Sequence, residues 1–271
     1  MKLLLNIEFI TTEFELQGLR IDSLAFDNES NSFVIVEYKK DRNFSVIDQG
    51  FAYLSLLLHN KAEFILKYNE SKANLLKRES VDWSQSRVVF ISPSFTSYQR
   101  KAIEFKDLPI ELLEVKKYSN NIILFNKIEA IEKTESITKI VRKNETAREI
   151  SQQIKVYNEE SHLEGTNEVI RSLYLEIKDN IMSFGNDIEI RPKKNYIAFY
   201  RNSNFVYIKI RKSRLDMYLN IKKGGLVDPK NITIDVQTVG NWGKGDYLIK
   251  MTNPENLSYI VSLARQAFES S

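Results

Sequence analysis

The stretch that most restricts the fold is Phe33-Val34-Ile35-Val36-Glu37-Tyr38-Lys39. Four consecutive apolar residues turn hydrophobic side chains to both faces of any strand they form, so that strand must be covered on both sides. Two charges close it, and Glu37 and Lys39, two apart, share a face. Residues 19–26 also read as a strand, and Asp27-Asn28-Glu29-Ser30-Asn31-Ser32 between the two is a run of turn formers. A hairpin turning symmetrically there pairs residues whose numbers add to 59. It sets Asp22 opposite Glu37, with Cβ atoms roughly 4.5–5.5 Å apart. A bulge would shift that register by one residue and separate the two. At about 4 Å and an effective dielectric near 20, two carboxylates repel by about 4 kcal/mol. A divalent cation is the natural offset, since hard cations take carboxylate oxygens. The same residues also read as a solvated Glu37–Lys39 ion pair on an emerging strand, with Asp22 unrelated.

Beyond the hairpin, residues 46–61 place Ile47, Phe51, Leu54 and Leu58 at helical spacing. Gln49 and Tyr53, four apart, lie on one face of that helix. A strand at Arg87–Ser92, a helix over 97–106 and strands at Ile110–Val115 and Asn121–Lys127 follow. Together they predict a mixed sheet with helices against it over residues 1–127. Residues 128–165 are polar and charged, a linker or an exposed helix. From 166 to 271 a helix at Asn167–Phe184 precedes strands at Tyr196–Tyr200, Phe205–Arg211, Leu215–Ile221, Ile232–Val236 and Tyr247–Met251, and a helix over 255–268 closes the chain. That succession predicts a small antiparallel α+β domain.

Several functions are excluded early. With no cysteine there is no disulfide, thiolate zinc site or cysteine nucleophile. His59 and His162 stand far apart without a second ligand near either, which argues against histidine-bound zinc. His59 is expected near a helix C-terminus, where the dipole favours its cation. The longest apolar run, Phe51–Leu58, falls well short of the ~18 residues of a membrane helix. Met1-Lys2-Leu3-Leu4-Leu5 meets Asn6 and Glu8 too soon for a signal peptide, so a cytoplasmic protein without membrane contact is expected.

Asp22, Glu37-x-Lys39 and Gln49-x-x-x-Tyr53, in this order, resemble the PD-(D/E)XK nuclease superfamily, in particular its RecB-like and NucS-like branch. The similarity runs through Gly18-Leu19-Arg20-Ile21-Asp22-Ser23-Leu24, Val36-Glu37-Tyr38-Lys39-Lys40 and Asp48-Gln49-Gly50. The resemblance implies a restriction-endonuclease-like first domain and metal-dependent hydrolysis of DNA phosphodiesters. Asp22 and Glu37, with the Tyr38 carbonyl, would hold Mg²⁺ or Mn²⁺. Lys39 would position the nucleophile, and Gln49 and Tyr53 would orient the substrate backbone or the metal-bound water. Arg20 and Lys40 could touch phosphates, and many such nucleases act as homodimers. One departure stands at the start, where the superfamily usually carries a helix on the sheet. Only about ten residues precede the first expected strand. Either the chain is shortened, its start is misassigned, or an acid such as Glu8, Glu13 or Glu15 substitutes. A catalytically inactive nucleic-acid-binding protein on the same fold is one alternative, and a structural or partner-binding component another.

The excess of basic residues lies wholly in the second half: 17 Lys/Arg against 14 Asp/Glu over residues 151–271, leaving 22 against 22 before them. Residues 191–223 hold ten Lys/Arg and one acid, Asp216. Alternation puts Tyr207, Lys209 and Arg211 on one face of their strand, suited to a nucleic-acid backbone together with Lys193, Lys194, Lys212 and Arg214. Lysine-rich hairpins are also ordinary solvated edges. Gly240-Asn241-Trp242-Gly243-Lys244-Gly245-Asp246 lacks the spacing of a phosphate-binding P-loop and reads as a turn with Trp242 packed on the sheet. Residues 166–270 resemble a small domain of unknown function that often follows such nucleases in bacterial proteins.

Overall fold

The computed structural model of the chain describes residues 5–40, 45–105, 108–120, 122–128, 145–238 and 245–271. It is an α+β protein with two six-stranded sheets, one in each of two units that divide between Val156 and Tyr157.

In the first unit the strands lie side by side in chain order. β1 (Glu8–Leu16), β2 (Leu19–Asp27) and β3 (Ser32–Tyr38) form an antiparallel meander. Gln17 and Gly18 both take positive φ, 51° and 78°, the geometry of a two-residue turn that matches strand twist. The second turn is braced by the Asp27 carboxylate, which accepts the N–H groups of Glu29 and Ser30. From Ser23↔Val36 to Asp27↔Ser32 the paired numbers add to 59, the register expected. α1 (Val46–His59) and α2 (Lys61–Ser71) lead to β4 (Arg87–Ser92), which runs parallel to β3. α3 (Ser97–Ala102) leads to β5 (Ile110–Lys117), parallel to β4, and β6 (Ile123–Ile128) returns antiparallel.

The apolar run of β3 is buried on both sides, as its composition demands. Phe33 and Ile35 join Phe90, Leu112 and the Phe51, Leu54 and Leu57 side chains of α1. Val34 and Val36 join Val89, Ile91 and Leu113 on the other face. α4 (Glu145–Gln153) closes the first core with Ala147 and Ile150, and Ile154 follows them. The stretch expected as a linker or an exposed helix thus contains a helix, packed and not wholly exposed: residues 145–156 belong to the first unit, while 129–144 lie outside the described residues. Two further differences concern elements that sequence reading passed over. Residues 8–16, expected to precede the first strand, are themselves a strand, and α2 buries Phe64 and Tyr68 one turn apart.

The second unit places α5 (Glu159–Leu163) and α6 (Glu168–Met182) before an antiparallel sheet. Its strands are β7 (Glu189–Pro192), β8 (Ile197–Tyr200), β9 (Asn204–Arg211), β10 (Arg214–Leu219), β11 (Ile234–Asp235) and β12 (Tyr247–Met251), in the order β11-β12-β10-β9-β8-β7. α7 (Leu257–Glu269) ends the chain. Ile170, Leu173 and Ile177 of α6 and Ile260, Leu263 and Ala267 of α7 share one core with Phe199, Phe205, Ile208 and Met217. The Trp242 turn falls outside the described residues. Among them, no helix is long and apolar enough to cross a membrane.

Candidate functional site

The strongest local arrangement lies where β2 and β3 end and α1 crosses them. The last ladder pair is Ser23↔Val36. One step further the Asp22 side chain takes over from the backbone, its Oδ2 accepting the Tyr38 N–H at 2.9 Å. The Asp22 N–H points in turn at Glu37 Oε2, 3.5 Å away. The two carboxylates that the hairpin register juxtaposes are thus neighbours, and Glu37 is only 4% exposed.

Partners within the chain balance this pair. Lys39 Nζ stands 2.9 Å from Glu37 Oε1, and Gln49 Nε2 reaches the same oxygen at 3.3 Å. Gln49 also lies 3.2 Å from the Tyr53 hydroxyl, which donates to the Arg20 carbonyl at 3.0 Å. α1 can present both side chains because Ser45 caps it, accepting the Asp48 N–H, and because Gly50 lets it lie close to Ile110 and Phe90. Burial, reinforced by the Glu37 carboxylate, pushes the Tyr53 hydroxyl far above its ordinary pKa. It stays protonated near neutrality and serves as a donor, not as a base.

Asp22, Glu37, Lys39, Gln49 and Tyr53 are thus brought together, with Tyr38 joined through its N–H and Arg20 through its carbonyl, whereas the Arg20 and Lys40 side chains do not join the network. The Arg20 guanidinium turns to Glu13, 2.8 Å away on the exposed surface, and Lys40 is exposed. The acids considered as substitutes are occupied elsewhere: Glu13 by Arg20, and Glu8 by Lys72 and Asn28. Glu15 faces Arg20 in the β1–β2 ladder.

Among the described residues no cluster of three or more metal-ligating side chains occurs. The donor set is two carboxylates, and they retain acceptor capacity. Asp22 uses Oδ2 for the Tyr38 N–H, and no hydrogen bond to its Oδ1 is found among the described residues. A carboxylate offers about four lone-pair sites. These all-oxygen donors suit Mg²⁺ or Mn²⁺ far better than a soft metal.

The basic strands of the second unit are less available than their composition suggests. Asp216 is 1% exposed and takes both Arg211 and Arg214. Burial raises its pKa, but the two guanidinium hydrogen bonds outweigh it and hold the carboxyl below the usual range. Arg191 pairs with Glu189, Arg201 with Asp187 and Lys223 with Asp235. Arg191, Arg201, Arg211, Arg214 and Lys223 are thus engaged with carboxylates. Asp187, Glu189 and Asp235 lie outside residues 191–223, so a tally inside that window overstates the free charge. Lys209 sits across the β9–β10 ladder from Asp216. Lys193 contributes its backbone N–H to Tyr196 and its carbonyl to His162, and Lys212 gives its carbonyl to Asn167.

A model of a domain of unknown function, DUF5655, matches residues 159–271. An uncharacterized protein of Haemophilus influenzae is 44% identical over 261 residues, which cover 96% of this chain and 86% of the relative. No solved structure matches.

Proposed function

The chain belongs to the family of that Haemophilus influenzae protein, and we propose that it is a metal-dependent nuclease that hydrolyses phosphodiester bonds of DNA. The carrying observation is the junction of Asp22, Glu37, Lys39, Gln49 and Tyr53 in one bonded network at the end of a strand buried on both faces. The order of meander, helix and parallel strand agrees with the restriction-endonuclease-like fold that the sequence motif implies. Glu8–Leu16 supply the outer strand of that meander.

Asp22 and Glu37 would hold Mg²⁺ or Mn²⁺, which when bound supplies a Lewis acid for the phosphoryl oxygen and lowers the pKa of a coordinated water. Lys39, 2.9 Å from Glu37, would position the attacking water and offset charge on the phosphate. Gln49 locks one Glu37 oxygen and receives its own orientation from Tyr53. Tyr53 remains a neutral donor that ties α1 to β2 through the Arg20 carbonyl. A buried Glu37 carboxylate beside the half-buried Asp22, with one ammonium next to them, is a costly arrangement for stability alone. Its retention in one network favours this reading over a solvated surface pair. The second unit would assist in holding DNA through its basic strands.

The test is cleavage of labelled single-stranded, duplex and branched DNA with Mg²⁺ or Mn²⁺, wild type against Lys39→Ala. Metal-dependent cutting by the wild type is expected to fall at least about 100-fold in the variant. Binding without cutting by the wild type would instead identify a binding module on the same fold. Neither binding nor cutting would favour a structural component.

A further inference from the structure

β3, β4 and β5 run parallel, so their C-terminal ends lie at one edge of the first sheet. Ligands of open sheets gather outside such carboxyl ends. Glu37 pairs with Phe90, and Phe90 with Leu112, all three on the face packed against α1. Two residues on, alternation returns Lys39, Ser92 and Glu114 to that face. The row is continuous: the Lys39 N–H donates to the Ile91 carbonyl at 2.8 Å, and Ser92 pairs with Glu114. With strands about 4.8 Å apart, Glu114 lies roughly 10 Å along the edge from Lys39.

Glu114 is a buried carboxylate that the cluster around Glu37 does not use. Its Oε1 accepts Arg100 Nη2 and, at 3.3 Å, the Phe95 N–H. Arg100 Nε donates to the Phe95 carbonyl at 3.3 Å. The guanidinium is thereby fixed on two sides, while the side chain remains 43% exposed and Nη1 has no hydrogen-bond partner among the described residues. A reciprocal cap, Thr96 with Gln99, sets the start of α3 that carries it. A pre-oriented guanidinium with a free donor at a sheet's ligand edge is suited to a phosphate, which it can meet with little further loss of side-chain freedom.

We propose that Arg100, held by Glu114, contacts a backbone phosphate of the nucleic acid within about three nucleotides of the one that reacts, at a rise of about 3.4 Å per nucleotide. This rests on the nuclease reading and adds to it a residue that the sequence motif does not contain. Arg100 is a substrate-binding residue here, and Glu114 is its positioning residue.

The experiment is the salt dependence of DNA binding by the full chain in the Glu37→Gln background, which is expected not to cut. Arg100→Gln, which keeps a donor for Glu114, is expected to bind roughly tenfold more weakly and to lower the slope of log affinity against log salt by about one. Arg100→Lys should restore the slope, because it restores the charge, with affinity between the two. Unchanged affinity and slope in Arg100→Gln, with only a lower melting temperature, would make the pair a structural brace and overturn the proposal, leaving the nuclease intact. Wild type that neither cuts nor binds DNA would remove the nuclease reading and the phosphate contact together.

Discussion

At the scale of the residue, Glu37 and Lys39 are bound to one another, yet stability and function pull on them differently. Glu37 is buried beside a second carboxylate, and Lys39 Nζ at 2.9 Å is the cation that makes this tolerable. Removing only the cation leaves two acids facing each other, so Lys39→Ala is expected to cost about 2–3 kcal/mol. Glu37→Gln keeps the shape, still accepts from Lys39 and removes the repulsion with Asp22. It is expected to melt no lower than the wild type, since isosteric replacement of a buried charge is often neutral or stabilising. Both variants should lose cleavage. Thermal melts without metal, read beside cleavage, check this. A Glu37→Gln protein several degrees less stable would mean that the carboxylate serves the fold. Legibility at this scale was high for one reason. The apolar run on both faces marked the buried strand and its first charges marked its end, and a symmetric turn set which acid faced which. Arg100 and Glu114 were not legible, because their bond joins a helix to a strand fourteen residues on, and no local period marks it.

At the scale of the element, the position of α1 decides whether Gln49 and Tyr53 reach Glu37. Gly50 permits the close approach: a Cβ there would stand 2.3 Å from Ile110 Cδ1 and 3.6 Å from the Phe90 ring. The nearest atom is the end of a flexible chain, so Gly50→Ala should be mild, with the gain in helix propensity offsetting part of the crowding. Gly50→Leu has no such escape. It should cost about 1–3 kcal/mol, lift the N-terminal half of α1 and reduce cleavage at least tenfold. Comparable activity in Gly50→Leu and wild type would show that the amide and the phenol need not be held. The helix itself was legible from Ile47, Phe51, Leu54 and Leu58, whereas β1 was not. Glu8–Leu16 mixes buried and exposed residues irregularly, with a register shift between Phe9 and Thr11 and a positive φ of 51° at Glu13. Such a strand loses the strict alternation by which strands are recognised. The better signal was Gln17-Gly18, a two-residue hairpin turn between two β-rich segments.

At the scale of the whole molecule, each unit buries its own core, and the groups with shifted pKa values are distributed unevenly between them. His162 lies in the second unit, its Nε2–H donating to the Lys193 carbonyl at 2.7 Å. Burial lowers its pKa below the usual 6.5, outweighing that hydrogen bond. The folded ring thus refuses a proton that the unfolded chain accepts below about pH 6.5. The neutral ring's stabilisation is complete above that pH and is lost as pH falls toward the folded pKa. Asp216 in the same unit is held below the usual carboxylate range, so its contribution persists until far more acidic pH. The raised tyrosines titrate only under alkaline conditions. Between pH 7.5 and 5, His162 is therefore the group with a resolved shift that should move. Melting the full chain across that range should lower the transition of the second unit more than that of the first. His162→Gln, which keeps a donor for Lys193, should flatten that difference. If both transitions fall in parallel in wild type and variant alike, the acid sensitivity belongs to charge spread over the whole chain, and the buried histidine has no part in it.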